Sequence, residues 1–200
     1  MRDNRDNRGF TLNAVWFLIA VNIILFIFTT INPDIEWRLG LQAASFTEEP
    51  WKIVTSLFIH ANILHILFNM ITLYFFGTYL LTLIGEVKFL TIYFLGGLLG
   101  NAFFMLWALY APWADPLDRY TTAIGASGAI FAVMGAMAVL RPQAKALMFF
   151  VVPLPLWVAV LFGFLILSII PGIAWQGHLG GLVLGLMAGF ILKKQRRYSL

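Results

Sequence analysis

Long apolar runs, broken by charged residues only at short, spaced intervals, constrain this chain more than any other feature. Hydrophobic residues make up 61% and charged residues 11% of its 200 positions, far outside the averages of soluble domains. A soluble domain of this size has too little interior to hide that surface. The sequence therefore predicts an all-α polytopic membrane protein, one bundle set in the lipid bilayer. Cysteine is absent, so disulfides, thiolate nucleophiles and cysteine metal ligands do not enter. The net charge of +4 reports topology rather than affinity for nucleic acid, and no nucleic-acid partner is expected.

The breaks divide the chain into a polar tail over 1–11, a six-span membrane domain over 12–192 and a basic tail over 193–200. The first run, 12–28, has a basic start but no small-x-small cleavage site before Asn32-Pro33, so it reads as a retained span. Residues 31–58 mix Trp37-Arg38, Glu48-Glu49 and Trp51 with apolar residues, which suits a loop lying in the membrane interface. Further spans are predicted over 59–84, 89–110, 127–140, 154–171 and 176–192. Pro153, Pro155 and Pro171 set the limits of the fifth.

Six spans place both termini on one side. That side collects Arg2, Arg5, Arg8, Lys88, Arg141, Lys145, Lys193, Lys194, Arg196 and Arg197, ten of the 13 basic residues. Only Arg38, Lys52 and Arg119 fall opposite. The asymmetry predicts a multi-pass protein of the cell membrane with cytoplasmic termini.

The fourth run is too short to cross the bilayer. Ser127 to Leu140, as a helix, covers about 21 Å, against a hydrocarbon core of about 30 Å. Arg141 holds one end at the inner interface, so Ser127 starts a helix at membrane depth. Counting up from the cytoplasmic charges puts Ser127, His178 and Asn69 in one layer, roughly 21 to 24 Å above the inner interface. His65 stands one turn above Asn69 on the same face. A ridge of Gly177, Gly181, Gly185 and Gly189 on the sixth span matches Gly128, Ala132 and Ala136 on the fourth. Two such ridges allow close backbone approach and bring His178 toward Ser127.

A serine hydroxyl needs a base before it attacks a carbonyl, and His178 is the base at that depth. No Asp or Glu is near, so a dyad is implied rather than a triad. The Ser127 N–H at a helix start, with His65 and Asn69, can meet an oxyanion. Gly125-Ala126-Ser127-Gly128 is equally what tight helix packing uses, so the serine does not decide alone. His60 falls near the outer interface. It sits five residues from His65, off a shared helical face, and no metal site is expected from the three histidines.

His60-x4-His65-x3-Asn69, Gly125-Ala126-Ser127-Gly128 and His178 followed by Gly181 and Gly185 resemble the motifs of the rhomboid intramembrane serine proteases, in order and on the corresponding spans. Trp37-Arg38 also resembles that family's loop motif. The resemblance covers roughly residues 12–192 and a minimal six-span core. It implies Ser127 as nucleophile and His178 as base. His65, Asn69 and the Ser127 N–H would form the oxyanion hole, with His60 supporting. It further implies a cofactor-free endopeptidase opening to the extracytoplasmic side, acting on transmembrane protein substrates. Entry would lie between the second and fifth spans. Many members carry tyrosine four residues after the serine, where this chain has Phe131, which keeps a ring to stack on His178. Two rivals remain: a catalytically silent, client-binding relative, and a transporter or cofactor-binding bundle. The sequence leaves the oligomeric state open.

Overall fold

The computed structural model describes residues 13–148 and 151–198. The tail expected over 1–11, with Arg2, Arg5 and Arg8, lies outside the described residues, as do Leu12, 149–150 and 199–200. The first long helix is α1, Ala14–Ile31. Its orphan N–H groups are met by Asn13, whose side chain accepts from Val15 and Trp16, and by Glu86, which accepts from the Ala14 N–H at 3.0 Å. A carboxylate at a helix start also suits the helix dipole. The same contact puts residue 14 and the turn at Gly85 at one end of the bundle.

The interfacial loop is ordered rather than extended. It carries short helices α2, Asp34–Leu39, and α3, Lys52–Thr55, with 3-10 turns at Ala43–Ser45 and Ser56–Phe58. Helix α4 then runs Ile63–Thr72, later than the sequence predicts, because Asn62 is its N-cap and accepts from the His65 N–H. It passes through a π-helical turn, Leu73–Gly77, into α5, Thr78–Ile84. Gly85, at φ +85°, breaks the rod before α6, Glu86–Tyr110.

Helix α7, Ser127–Leu140, sits at the centre. Residues 128–133 and 135–139 are all buried, as befits a helix apolar on every side. Its partners are chiefly α9, Trp175–Tyr198, and α6. Between α7 and α8, Leu156–Ser168, the chain forms an antiparallel hairpin of β1, Lys145–Met148, and β2, Val152–Pro155. The sequence predicts a fifth helix from near 154, but Pro153 and Pro155 keep the backbone extended and delay it.

Among the described residues, four helical stretches are long and apolar enough to cross a membrane: Ala14–Ile31, Ile63–Ile84, Glu86–Tyr110 and Trp175–Gln195. Ser127–Leu140 and Leu156–Ser168 are shorter apolar helices. The protein is an all-α, multi-pass membrane bundle.

The small-residue ridges meet in the register that the sequence predicts. A methyl group on Gly181 would run into the Gly128 carbonyl, one on Gly185 into that of Ala132, and one on Gly189 would lie 2.9 Å from the Ala136 oxygen. The two backbones touch along three successive turns.

Candidate active site

Ser127 opens α7 directly after an irregular segment. Ala123 pairs with Leu41 through two backbone hydrogen bonds of 2.8 and 3.0 Å, and the Gly125 N–H donates to the Ser56 carbonyl at 2.9 Å. Gly125 has φ +118°, a conformation that L side chains rarely adopt. Its missing side chain also leaves space, since a Cβ there would lie 2.7 Å from His65 Nε2 and 3.7 Å from Ser127 Oγ. Ala126 offers no side-chain cap, so the first-turn N–H groups of α7 have no intrahelical acceptor.

His178 lies on the first turn of α9, 6% exposed. Its Nε2 is 2.8 Å from Ser127 Oγ. The Phe131 ring lies against the imidazole, centroids 4.7 Å apart and planes 30° from parallel. Phe164 on α8 meets Phe131 in turn, the two rings near perpendicular with centroids 5.9 Å apart.

His65 stands at the start of α4. The Ala61 N–H donates to its Nδ1 over a long 3.5 Å, which leaves the proton of a neutral ring on Nε2. That nitrogen faces the space beside Gly125 and Ser127. Asn69 is 7% exposed, and its Nδ2 donates to the His65 carbonyl at 3.0 Å. One amide hydrogen is therefore spent on its own helix. His60 precedes α4 instead of riding on it, so five-residue spacing does not separate the rings. His60 and His65 meet edge to face at 4.9 Å. His60 is 1% exposed, and neither ring nitrogen has a well-formed hydrogen bond. Among the described residues, no cluster of three or more His, Cys, Asp or Glu could hold a metal ion.

The Trp37-Arg38 pair lies within the interfacial loop, on α2. Trp37 is 62% exposed and Arg38 is exposed too. The buried cation of this loop is Lys52, at 1% exposure, with Nζ 5.6 Å from the Trp37 ring centre. Glu49 meets Lys52 at 2.6 Å. The Lys52 contact, with help from the Ser45 hydroxyl, holds the Glu49 carboxyl below its usual range. The Glu49-x-x-Lys52 spacing was the available sequence signal.

These features define a class: a polytopic helical membrane protein that buries a serine–histidine pair at a helix start inside its bundle. The Rhomboid domain model matches residues 47–195, and the chain belongs to the rhomboid family. Its relatives include Rhomboid protein 1, mitochondrial, of Saccharomyces cerevisiae, 31% identical over 91% of this chain and 54% of that protein. Putative rhomboid protease YdcA of Bacillus subtilis is 28% identical over 92% of both. RHOMBOID-like protein 12, mitochondrial, of Arabidopsis thaliana is 34% identical over 72% of this chain and 47% of that one. The chain thus spans about half the length of the yeast and Arabidopsis relatives and nearly all of the Bacillus one. One relative from Arabidopsis is named Inactive RHOMBOID-like protein 8.

Proposed function

We propose that the chain is an intramembrane serine endopeptidase that works with a Ser127–His178 dyad. One observation carries the reading: the 2.8 Å contact between Ser127 Oγ and His178 Nε2 at the uncapped start of a buried helix. In the proposed cycle His178 Nε2 takes the hydroxyl proton as Oγ attacks the scissile carbonyl carbon. The oxyanion that forms is met by the Ser127 N–H and by His65 Nε2–H, with the second amide hydrogen of Asn69 as a further donor. Gly125 keeps that hollow open, Gly128 lets α9 approach, Phe131 steadies the imidazole and His60 backs His65. The tetrahedral adduct collapses as the C–N bond breaks and His178 protonates the leaving amine. Water, deprotonated by the same nitrogen, then adds to the acyl carbon, and the acyl C–Oγ bond breaks as His178 returns the proton to Ser127 Oγ. Each oxyanion donor is worth about 2.7–4 kcal/mol of barrier.

The substrates of this reading are transmembrane proteins cut in or near their membrane segments. Helix-weakening residues there ease exposure of the scissile carbonyl. Among the described residues α8 packs on α7, α9 and the hairpin and has no extensive contact with α4, which favours entry between α4 and α8. We place the six-span domain over 12–192, counting the short α7 and α8 as spans, between tails 1–11 and 193–200. Ten basic residues against three support cytoplasmic termini in a cell membrane and a site that opens outward. The contact of Ala14 with Glu86 agrees with one side for the first tail and the break at Gly85.

The test is turnover of a model transmembrane substrate by purified protein, beside Ser127→Ala and His178→Ala. Turnover should vanish in both variants, and cleavage that survives Ser127→Ala ends the nucleophile assignment. The relative named inactive favours one rival, a silent client-binding protein. That rival predicts substrate capture with no cleavage by the unmodified chain.

A further inference from the structure

Lys52 is the one fully buried cation among the described residues, with 1% of its surface exposed. An ammonium so far from water is costly unless its hydrogens are well placed. Here Nζ meets Glu49 Oε2 at 2.6 Å and donates to Gln42 Oε1 at 2.7 Å. Lysine can only donate, so its contact fixes which end of the Gln42 amide faces it. The amide nitrogen must point the other way, and Nε2 donates to Thr122 Oγ1 at 2.8 Å. The adjoining residues, Leu41 and Ala123, exchange both backbone hydrogen bonds. Two residues further on, the Gly125 N–H is bound by the Ser56 carbonyl. Asn101 ties Ser56 to α6 by donating to its Oγ at 2.9 Å and to the Ile53 carbonyl at 2.7 Å.

The segment 122–126 lacks a helix or extended ladder of its own, and it leads straight into Ser127. We propose that Lys52, acting through Gln42 and Thr122, is a positioning residue that sets the register of this segment. It thereby aims Ser127 Oγ and the first-turn N–H groups of α7. The inference rests on the endopeptidase reading above. None of the three side chains touches the reacting atoms. Their loss should misplace the nucleophile without altering where a substrate helix binds.

The experiment compares kcat, KM and thermal midpoint for the full chain and for Lys52→Met, Lys52→Arg, Gln42→Met and Thr122→Val, with one model transmembrane substrate. Lys52→Met should lower kcat about tenfold at nearly constant KM. Thr122→Val, which removes one hydroxyl at the far end of the relay, should lower kcat about threefold with little change in midpoint. Lys52→Arg keeps charge and donors and should recover most of kcat. The double variant Lys52→Met/Thr122→Val should be no slower than Lys52→Met alone, as expected of one connected network. Unchanged kcat in Thr122→Val and Gln42→Met would overturn the proposal, even if Lys52→Met fails to fold. So would multiplicative losses in the double variant. A wild-type chain no faster than Ser127→Ala would instead sink the endopeptidase reading on which this one stands.

Discussion

The seam between α7 and α9 and the flank made by α8 are built on opposite terms. Along the seam, backbone lies on backbone: a methyl on Gly181 would meet the Gly128 carbonyl, and one on Gly185 that of Ala132. On α8, Gly163 has nothing within 4 Å of where a Cβ would stand. Trp157, Leu161, Phe162 and Leu165 there are each about half exposed. Only Leu156 and Val160 are buried, and Phe164 reaches the Phe131 ring. A serine and an imidazole must hold their separation to a fraction of an ångström, and atomic contact between backbones supplies that. On the proposed reading α8 lies beside the substrate entrance, where freedom to shift is needed. The two packings divide those tasks.

The sharpest way to break this contrast is Gly181→Val. Added bulk against a carbonyl should cost about 3 kcal/mol or more and abolish turnover. A thermal midpoint equal to that of the wild type would show that the seam is not tight. Next in size is Phe131→Leu, which removes the ring between the two regions. The stack and the edge contact are worth about 0.5–1.5 kcal/mol each, so kcat should fall roughly tenfold with the fold retained. Phe164→Leu should cost less, and a larger loss for Phe164 than for Phe131 would reverse the order of contact. On the loose flank, Gly163→Ala should raise stability by about 0.5–1 kcal/mol and leave turnover alone. A drop in midpoint there would mean that α8 is packed after all.

The smallest effect concerns pH. The folded protein holds the Glu49 carboxyl below its usual range, first through Lys52. The pair's contribution is therefore complete above about pH 4.3, the unfolded value. It drains away as pH falls through the lower folded value. Glu49 is 34% exposed, which keeps the change small. Thermal midpoints of wild type and Glu49→Gln should differ near neutrality and converge in acid. A gap that persists unchanged would take the carboxylate out of the loop's electrostatics.

Helix rise and small-residue spacing carried much of the site in the sequence itself. Ser127 and His178 could be levelled by counting residues from Arg141 and Lys193, because a membrane helix advances uniformly. The glycine register was legible for the same reason. His60 was harder: its distance from His65 seemed to part the rings, since the cap at Asn62 that ends the extended lead-in has no strong signature beside an apolar run. Lys52 looked like one more outward charge, because its partners Gln42 and Thr122 are joined only by folding. The hairpin over 145–155 showed as proline breaks, which say where a helix stops and not what replaces it.

The π-helical turn at Leu73–Gly77 has an effect on the azimuth of its rod. One extra residue in a turn rotates everything beyond it by about 100° relative to an uninterrupted helix. The half that carries His65 and Asn69 is thereby clocked independently of the half that carries the buried Leu80. Removing a single residue from that turn would leave a straighter helix of nearly the same reach, with one of its two halves facing the wrong neighbours.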